Sequence, residues 1–154
     1  MLASRFKPSL LLVGPDSLPF RDRLADCYPA WSDRVHAAGY VASTALGAYL
    51  AACDLFVQPY PDGITSRRTS AMACLSQGAP IVTTRGHLTE AFWNDSGAVA
   101  LAEVDDPLAF TGHVERLLTD EAERQRLGAR ARTLYDARFA LRHTIAALRS
   151  PRAA

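Results

Sequence analysis

The segment from Asp62 to Ser70, DGITSRRTS, places a carboxylate, two guanidinium groups and several hydroxyls around one glycine. Those residue types suit anion binding: arginine donates in a planar fork, hydroxyls donate singly, and Gly63 lets the backbone approach closely. Asp62-Gly63 is a turn dipeptide. Ser66 is a plausible N-cap, opening a helix to about Gln77 with Gly78 as its left-handed C′ residue. Pro80 stops further helix, and Ile81–Thr84 has the β-branched content of a buried strand. Before the loop stands CDLFVQPY, with a strand over 54–58. A loop thus brings a helix N-terminus to the carboxyl end of a parallel strand, where backbone amides and the helix dipole attract anions. The expectation is unpaired amides at residues 63–66 and phosphate as ligand. Each residue also has a plainer reading. Asp62 can be a turn former, Arg67 and Arg68 solvated cations, and Ser70 a small polar residue on the helix face it shares with Ser66.

The elements that must position this segment alternate along the chain. Strands are expected over Ser9–Val13, Val35–Ala38, 54–58, 81–84 and Ala98–Leu101. Helices are expected from Leu18 to about Tyr28 and from a Ser43-Thr44 cap to about Ala52. Gly86–Glu90 is expected to open a short helical turn carrying Phe92 and Trp93. Asp106-Pro107 and Asp120 each start a long helix, with Phe110, Val114, Leu117 and Leu118 on one stripe and Leu127, Ala131, Leu134 and Tyr135 on the other. A last helix spans about 140–149, before a tail Pro151–Ala154. Alternating β and α with short connections predicts an α/β fold: a three-layer, doubly wound parallel sheet with C-terminal helices.

Composition excludes several function classes. The chain has 154 residues, 49% of them hydrophobic and 21% charged, with net charge +1. That suits one globular domain and gives no electrostatic reason to expect nucleic acid as a partner. Lys7 is the only lysine, so the remaining basic residues are arginines. Cys27, Cys53 and Cys74 lack CxxC spacing and are expected to be buried, reduced thiols. The four histidines, at 36, 87, 113 and 143, have no spacing suited to a metal or a catalytic pair; His87 is expected at the surface. The apolar run near the N-terminus is too short for a signal peptide or a membrane span. Gly14, Pro15 and Asp16 end the first strand, either as a plain turn or as a further ligand contact. Tyr40 could border a base or belong to the core.

Five fragments occur in an order that resembles the carboxyl-terminal, donor-binding domain of GT-B glycosyltransferases of the retaining family 4 (group 1) type: LLLVGPDS, RVHAAGYV, ACDLFVQPYPDG, SAMACLSQGAPIVTT and LLTDEAERQRLGARARTLYDARF. The resemblance covers nearly all of residues 1–154 and implies a Rossmann-like GT-B half. It implies transfer of a sugar from a nucleotide-diphospho-sugar, with retention and without a metal or other cofactor. Members commonly carry two acidic residues separated by seven others. Asp62 stands at the first position, as the catalytic-side contact to the donor sugar, and Ser70 at the second, where a nucleotide ribose binds. Glu is usual at both. Gly63, Ile64, Thr65 and Ser66 take the place of the amide cradle, joined by Arg67 and Arg68, with Gly14 and Asp16 as further donor contacts. Glu90 could hydrogen-bond across the cleft of the intact enzyme.

The family also has an acceptor-binding amino-terminal domain and an earlier first strand. The chain is therefore expected to be a truncated donor half, inactive alone, cytoplasmic or at most peripheral to the inner membrane. Its expected partners are a nucleotide sugar and that absent domain, with self-association possible through an exposed apolar face. A sugar-nucleotide epimerase of the same architecture and a non-catalytic binding or scaffolding module are the alternatives.

Overall fold

A computed structural model describes residues 7–149. Short strands and helices alternate as the sequence predicts, and packing divides the chain into two compact units, residues 1–53 and 54–154. The first holds β1 (Leu10–Leu12), α1 (Ser17–Cys27), β2 (Val35–Ala37) and α2 (Ser43–Ala51), with a 3-10 turn at Pro29–Arg34. The second holds β3 (Phe56–Gln58), α3 (Thr69–Ser76), β4 (Ile81–Arg85), α4 (Phe92–Ser96), β5 (Ala100–Glu103), α5 (Pro107–Thr119), α6 (Glu121–Leu134) and α7 (Leu141–Arg149). A π turn at Tyr135–Phe139 joins α6 to the last helix. The tail Pro151–Ala154 and the basic start of the chain lie outside the described residues.

In the first unit β1 and β2 pair in parallel, with Leu10 opposite Val35 and Leu12 opposite Ala37. Past β1 the backbone turns at Gly14, whose amide donates to the Gly39 carbonyl (2.9 Å). The buried Ser17 hydroxyl accepts from the Gly39 amide (2.9 Å). These bonds spend the polar groups of the β1–α1 turn on the neighbouring turn, as buried backbone requires. Asp16 directly precedes α1 but makes no side-chain cap. Tyr40 is 82% exposed and so is not a core residue.

The second unit has a three-stranded parallel sheet in the order β3-β4-β5. Phe56 lies opposite Ile81, Val82 opposite Ala100 and Arg85 opposite Glu103. Val82, Ala100, Leu117 and Leu127 form a core against which Leu55, Phe110 and Val114 pack. Burying a side chain of that size contributes about 1.5–3 kcal/mol. Helices α5 and α6 start where the sequence says. The Asp106 and Asp120 carboxylates accept from the amides of Ala109 and Glu123 (2.8 Å each), and Pro107 fills the first helical position. Central β4 carries two buried threonines, yet neither hydroxyl is stranded. Thr83 donates to the Gln58 carbonyl (2.8 Å), and Thr84 bonds the Tyr60 backbone.

Several expectations are corrected. Helix α3 begins at Thr69, not after Ser66, and its N-cap position falls on Arg68, which makes no side-chain cap. Ser66 does not cap α3: it lies two residues before the N-cap position, with its hydroxyl and amide both donating to Glu90. Ser66 and Ser70 therefore share no helix face, and Arg67 precedes the helix. Gly78 does end α3 in the left-handed conformation. Residues 86–89 form a tight turn instead of helix, because the Gly86 amide is taken by the Thr89 hydroxyl (3.0 Å). β5 starts two residues later than expected: left-handed Gly97 ends α4 and the buried Ala98-Val99 lead into the strand. Of the cysteines only Cys74 is buried; Cys27 is exposed and Cys53 intermediate. Among the described residues no helix is long and apolar enough to cross a membrane.

Candidate functional site

Two loops of the second unit build the site: residues 59–68 after β3 and residues 86–91 after β4. Both leave the carboxyl ends of neighbouring parallel strands. The first starts with a turn closed by the Gly63 amide on the Tyr60 carbonyl (3.0 Å), with Pro61 at its second position. Gly63 then takes φ +89°, open to glycine and strained for other residues. Ile64 is fully buried and its amide donates to the Thr84 carbonyl (2.8 Å), anchoring the loop to β4. A second turn follows, with the Arg68 amide on the Thr65 carbonyl (3.1 Å).

The two loops interlock backbone to backbone. A Cβ on Gly63 would stand 2.3 Å from the Gly86 nitrogen, and a Cβ on Gly86 2.6 Å from the Asp62 carbonyl. The Leu88 amide donates to the same Asp62 oxygen (3.1 Å). These contacts decide the fate of the expected amide cradle. The amides of Gly63, Ile64 and Ser66 are all engaged within the chain, so residues 63–66 do not present a row of unpaired donors. Backbone at a close loop crossing must find partners, and here it finds them intramolecularly.

What remains available is side-chain chemistry. Thr65, Arg67, Arg68, Leu88 and Glu90 line an open cavity of about 490 Å³. Arg67 is exposed. Arg68 lies over the Tyr60 ring (4.5 Å to its centroid) and pairs with Asp62 at 3.8 Å. With both partners substantially exposed, that pair contributes at most about 1 kcal/mol, and an incoming anion can compete for Arg68. The cation–π contact steadies the guanidinium over the ring and leaves its N–H groups able to donate to a ligand.

Ser70, on the first turn of α3, does not stand alone. Tyr60 gives its one hydroxyl proton to Gln58 Oε1 (2.7 Å), so the Ser70 hydroxyl (2.8 Å away) donates to Tyr60 Oη. Ser70 thus keeps lone pairs to accept from a ligand hydroxyl, without charge. Burial raises the Tyr60 pKa against the opposing hydrogen bond from Ser70, so the phenol stays protonated at neutral pH.

Glu90 carries the densest polar contacts. Oε1 accepts from the Ser66 amide (3.0 Å) and hydroxyl (2.6 Å), and Oε2 from the Trp93 indole (2.9 Å) and again the Ser66 amide (3.2 Å). Burial pulls its pKa upward, but the Ser66 and Trp93 hydrogen bonds outweigh it and leave the carboxyl below its ordinary value. Glu90 therefore contributes stability that is present above the ordinary carboxylate pKa and lost as pH falls through the lowered one. All of these Glu90 bonds lie within its own unit. Trp93, Tyr60 and Leu88 were not among the sequence candidates. The Glu90–Trp93 spacing of three, which sets both side chains near one helix start, was the available signal.

Asp62, Gly63, Ile64, Thr65, Ser66, Arg67, Arg68 and Ser70 thus come together around β3, β4 and the start of α3, with Gly63 and Ile64 serving the backbone. Gly14 and Asp16 end β1 in the first unit and are described there. Among the described residues no group of three or more His, Cys, Asp and Glu side chains could hold a metal ion.

Two solved structures share the fold. WaaG, a glycosyltransferase involved in lipopolysaccharide biosynthesis, superposes with a TM-score of 0.69 at 19% identity, over 86% of this chain and 35% of its own. Sucrose-phosphate synthase from Thermosynechococcus elongatus gives 0.69 at 22% identity, over 91% and 37%. This chain thus spans little more than a third of either. No curated protein matches it. Both neighbours have the GT-B fold, and the family model described as glycosyl transferases group 1 matches residues 2–120, most of the chain. By that match and that fold, this chain belongs to the glycosyl transferases of group 1.

Proposed function

We propose that this chain is the donor-binding half of a retaining glycosyltransferase and binds a nucleotide-diphospho-sugar over the 62–70 segment. The observation that carries the reading is the cavity bearing Arg67 and Arg68 at the carboxyl ends of β3 and β4, in a chain of this family. In this reading the guanidinium groups take the diphosphate, since arginine binds phosphate oxygens bidentately. They stabilise the negative charge that grows on the leaving group as the glycosidic bond breaks, a task that requires donors already in place. The two cations supply that charge without a metal. Asp62 faces the donor sugar, and Ser70 accepts from a ribose hydroxyl in place of a carboxylate. Thr65 and Ser66 complete the wall. The acceptor is held by a separate amino-terminal domain, and the transferase acts in the cytoplasm or at the inner membrane surface.

A panel of UDP-, GDP- and ADP-sugars tests this by thermal shift. At a ligand concentration a hundred times the dissociation constant, binding contributes about 2.7 kcal/mol. For a chain of this size that raises Tm by roughly 5–10 °C. Arg68→Ala should remove most of the shift. A flat panel would end the donor-binding reading and favour the non-catalytic module, which the neutral, Tyr60-bound Ser70 supports. Assayed alone with a responsive sugar nucleotide, the 154-residue chain is expected to show no measurable transfer; robust turnover would disprove its being only a donor half.

A further inference from the structure

We propose that Glu90 is a positioning residue for donor binding: its carboxylate clasps the turn at Ser66 to the buried Trp93 and so fixes where Arg67 and Arg68 point. The inference rests on the diphosphate reading above. Its starting observation is that Glu90 lines the same cavity as the two arginines. A carboxylate there repels an anion, so its presence needs a reason other than its charge. The hydrogen bonds supply one. Ser66 and Trp93 make four donor contacts to the two oxygens, all at 3.2 Å or less.

The two ends of the clasp differ in rigidity. Trp93 is 1% exposed and packs against Phe92 (4.8 Å between ring centroids) and Phe139 (5.9 Å). The indole N–H is thereby a fixed point. Ser66 is exposed and occupies the second position of the Thr65–Arg68 turn. Arg67 and Arg68 follow it directly, so any displacement of Ser66 passes to both. A single ionised carboxylate connects the aromatic core to that turn, and protonating it would set an O–H donor against the Ser66 or Trp93 donors. Fixing donors before the ligand arrives removes the ordering cost from binding.

Charge and position predict opposite signs, which makes the idea testable with inorganic pyrophosphate by isothermal titration calorimetry. Glu90→Gln removes the repelling charge but sets an amide N–H against either the indole or the Ser66 donors. If Glu90 positions the loop, Glu90→Gln weakens pyrophosphate at least tenfold, and the hydrogen-exchange rate of the Ser66 amide rises at least tenfold. Ser66→Ala, a conservative change at an exposed residue, should weaken binding too, and adding it to Glu90→Gln should cost little more, because both act through one contact. Trp93→Phe keeps the Glu90 charge and most of the ring packing, removes the indole N–H, and should weaken binding severalfold. It also serves if Glu90→Gln does not fold.

Pyrophosphate binding that Glu90→Gln leaves unchanged or tightens would overturn the inference alone, as would strictly additive effects of the two substitutions. Wild-type protein that binds no pyrophosphate would instead overturn the diphosphate reading, and this inference with it.

Discussion

Gly86→Ala is expected to destabilise the chain by about 3 kcal/mol, because the added methyl group meets backbone atoms that cannot rotate away. The Cβ would lie 2.6 Å from both the carbonyl carbon and oxygen of Asp62 and 2.8 Å from the Gly63 nitrogen. Gly86 does not adopt a positive φ, so the cost comes from the close crossing of the two loops. Relief requires the 59–68 loop to lift off the 86–91 loop, which breaks the Leu88-to-Asp62 and Ile64-to-Thr84 bonds. At about 2–4 °C per kcal/mol, Tm should fall by roughly 6–12 °C. Nucleotide-sugar binding should fall with it, since the displaced loop carries Arg67 and Arg68. A Gly86→Ala protein melting within 2 °C of wild type would show that the crossing is looser than the distances imply.

Trp93→Ala should cost more, about 3–5 kcal/mol, the range for removing a large aromatic side chain from a core. Trp93 is fully enclosed, nearly parallel to Phe139 (16° between planes) and in contact with Phe92, so deletion leaves a cavity between α4 and the π turn. Glu90 would also lose its one rigid donor. Denaturant unfolding gives the measurement: the midpoint should fall with the slope unchanged, as for a lost core contact without a change in the surface exposed on unfolding. A loss below about 1 kcal/mol would mean that the ring cluster contributes little. Trp93→Phe separates the two roles, because it restores most of the packing and none of the hydrogen bond.

Much of this architecture was legible in the residues themselves. Short apolar, β-branched runs located every strand, and the 3.6-residue apolar period located the long helices, because both signals are carried by neighbouring residues. Asp106-Pro107 and Asp120 fixed the starts of α5 and α6, since an N-cap bonds amides only three residues away. Gly78 marked the end of α3, being a residue that reaches left-handed φ without strain. The fragments that match the family located the loop carrying Asp62, Arg67 and Arg68. All of these features are short in sequence range.

The state of that loop was decided elsewhere. Ser66 has the side chain of a helix cap, and local preference alone would have started α3 there. It was instead claimed by Glu90, 24 residues on, whose carboxylate offers two acceptors where the helix end offers none. The amide of Gly63 closes a local turn on Tyr60, but that of Ile64, free on local grounds, was taken by Thr84 once β3 and β4 lay side by side. Ser70 acquired its acceptor polarity from Tyr60 and Gln58. A sequence states which groups a chain owns and which local shapes it prefers. Which donor meets which acceptor depends on distances set only when remote segments pack, and in this loop those remote partners offered the better bonds.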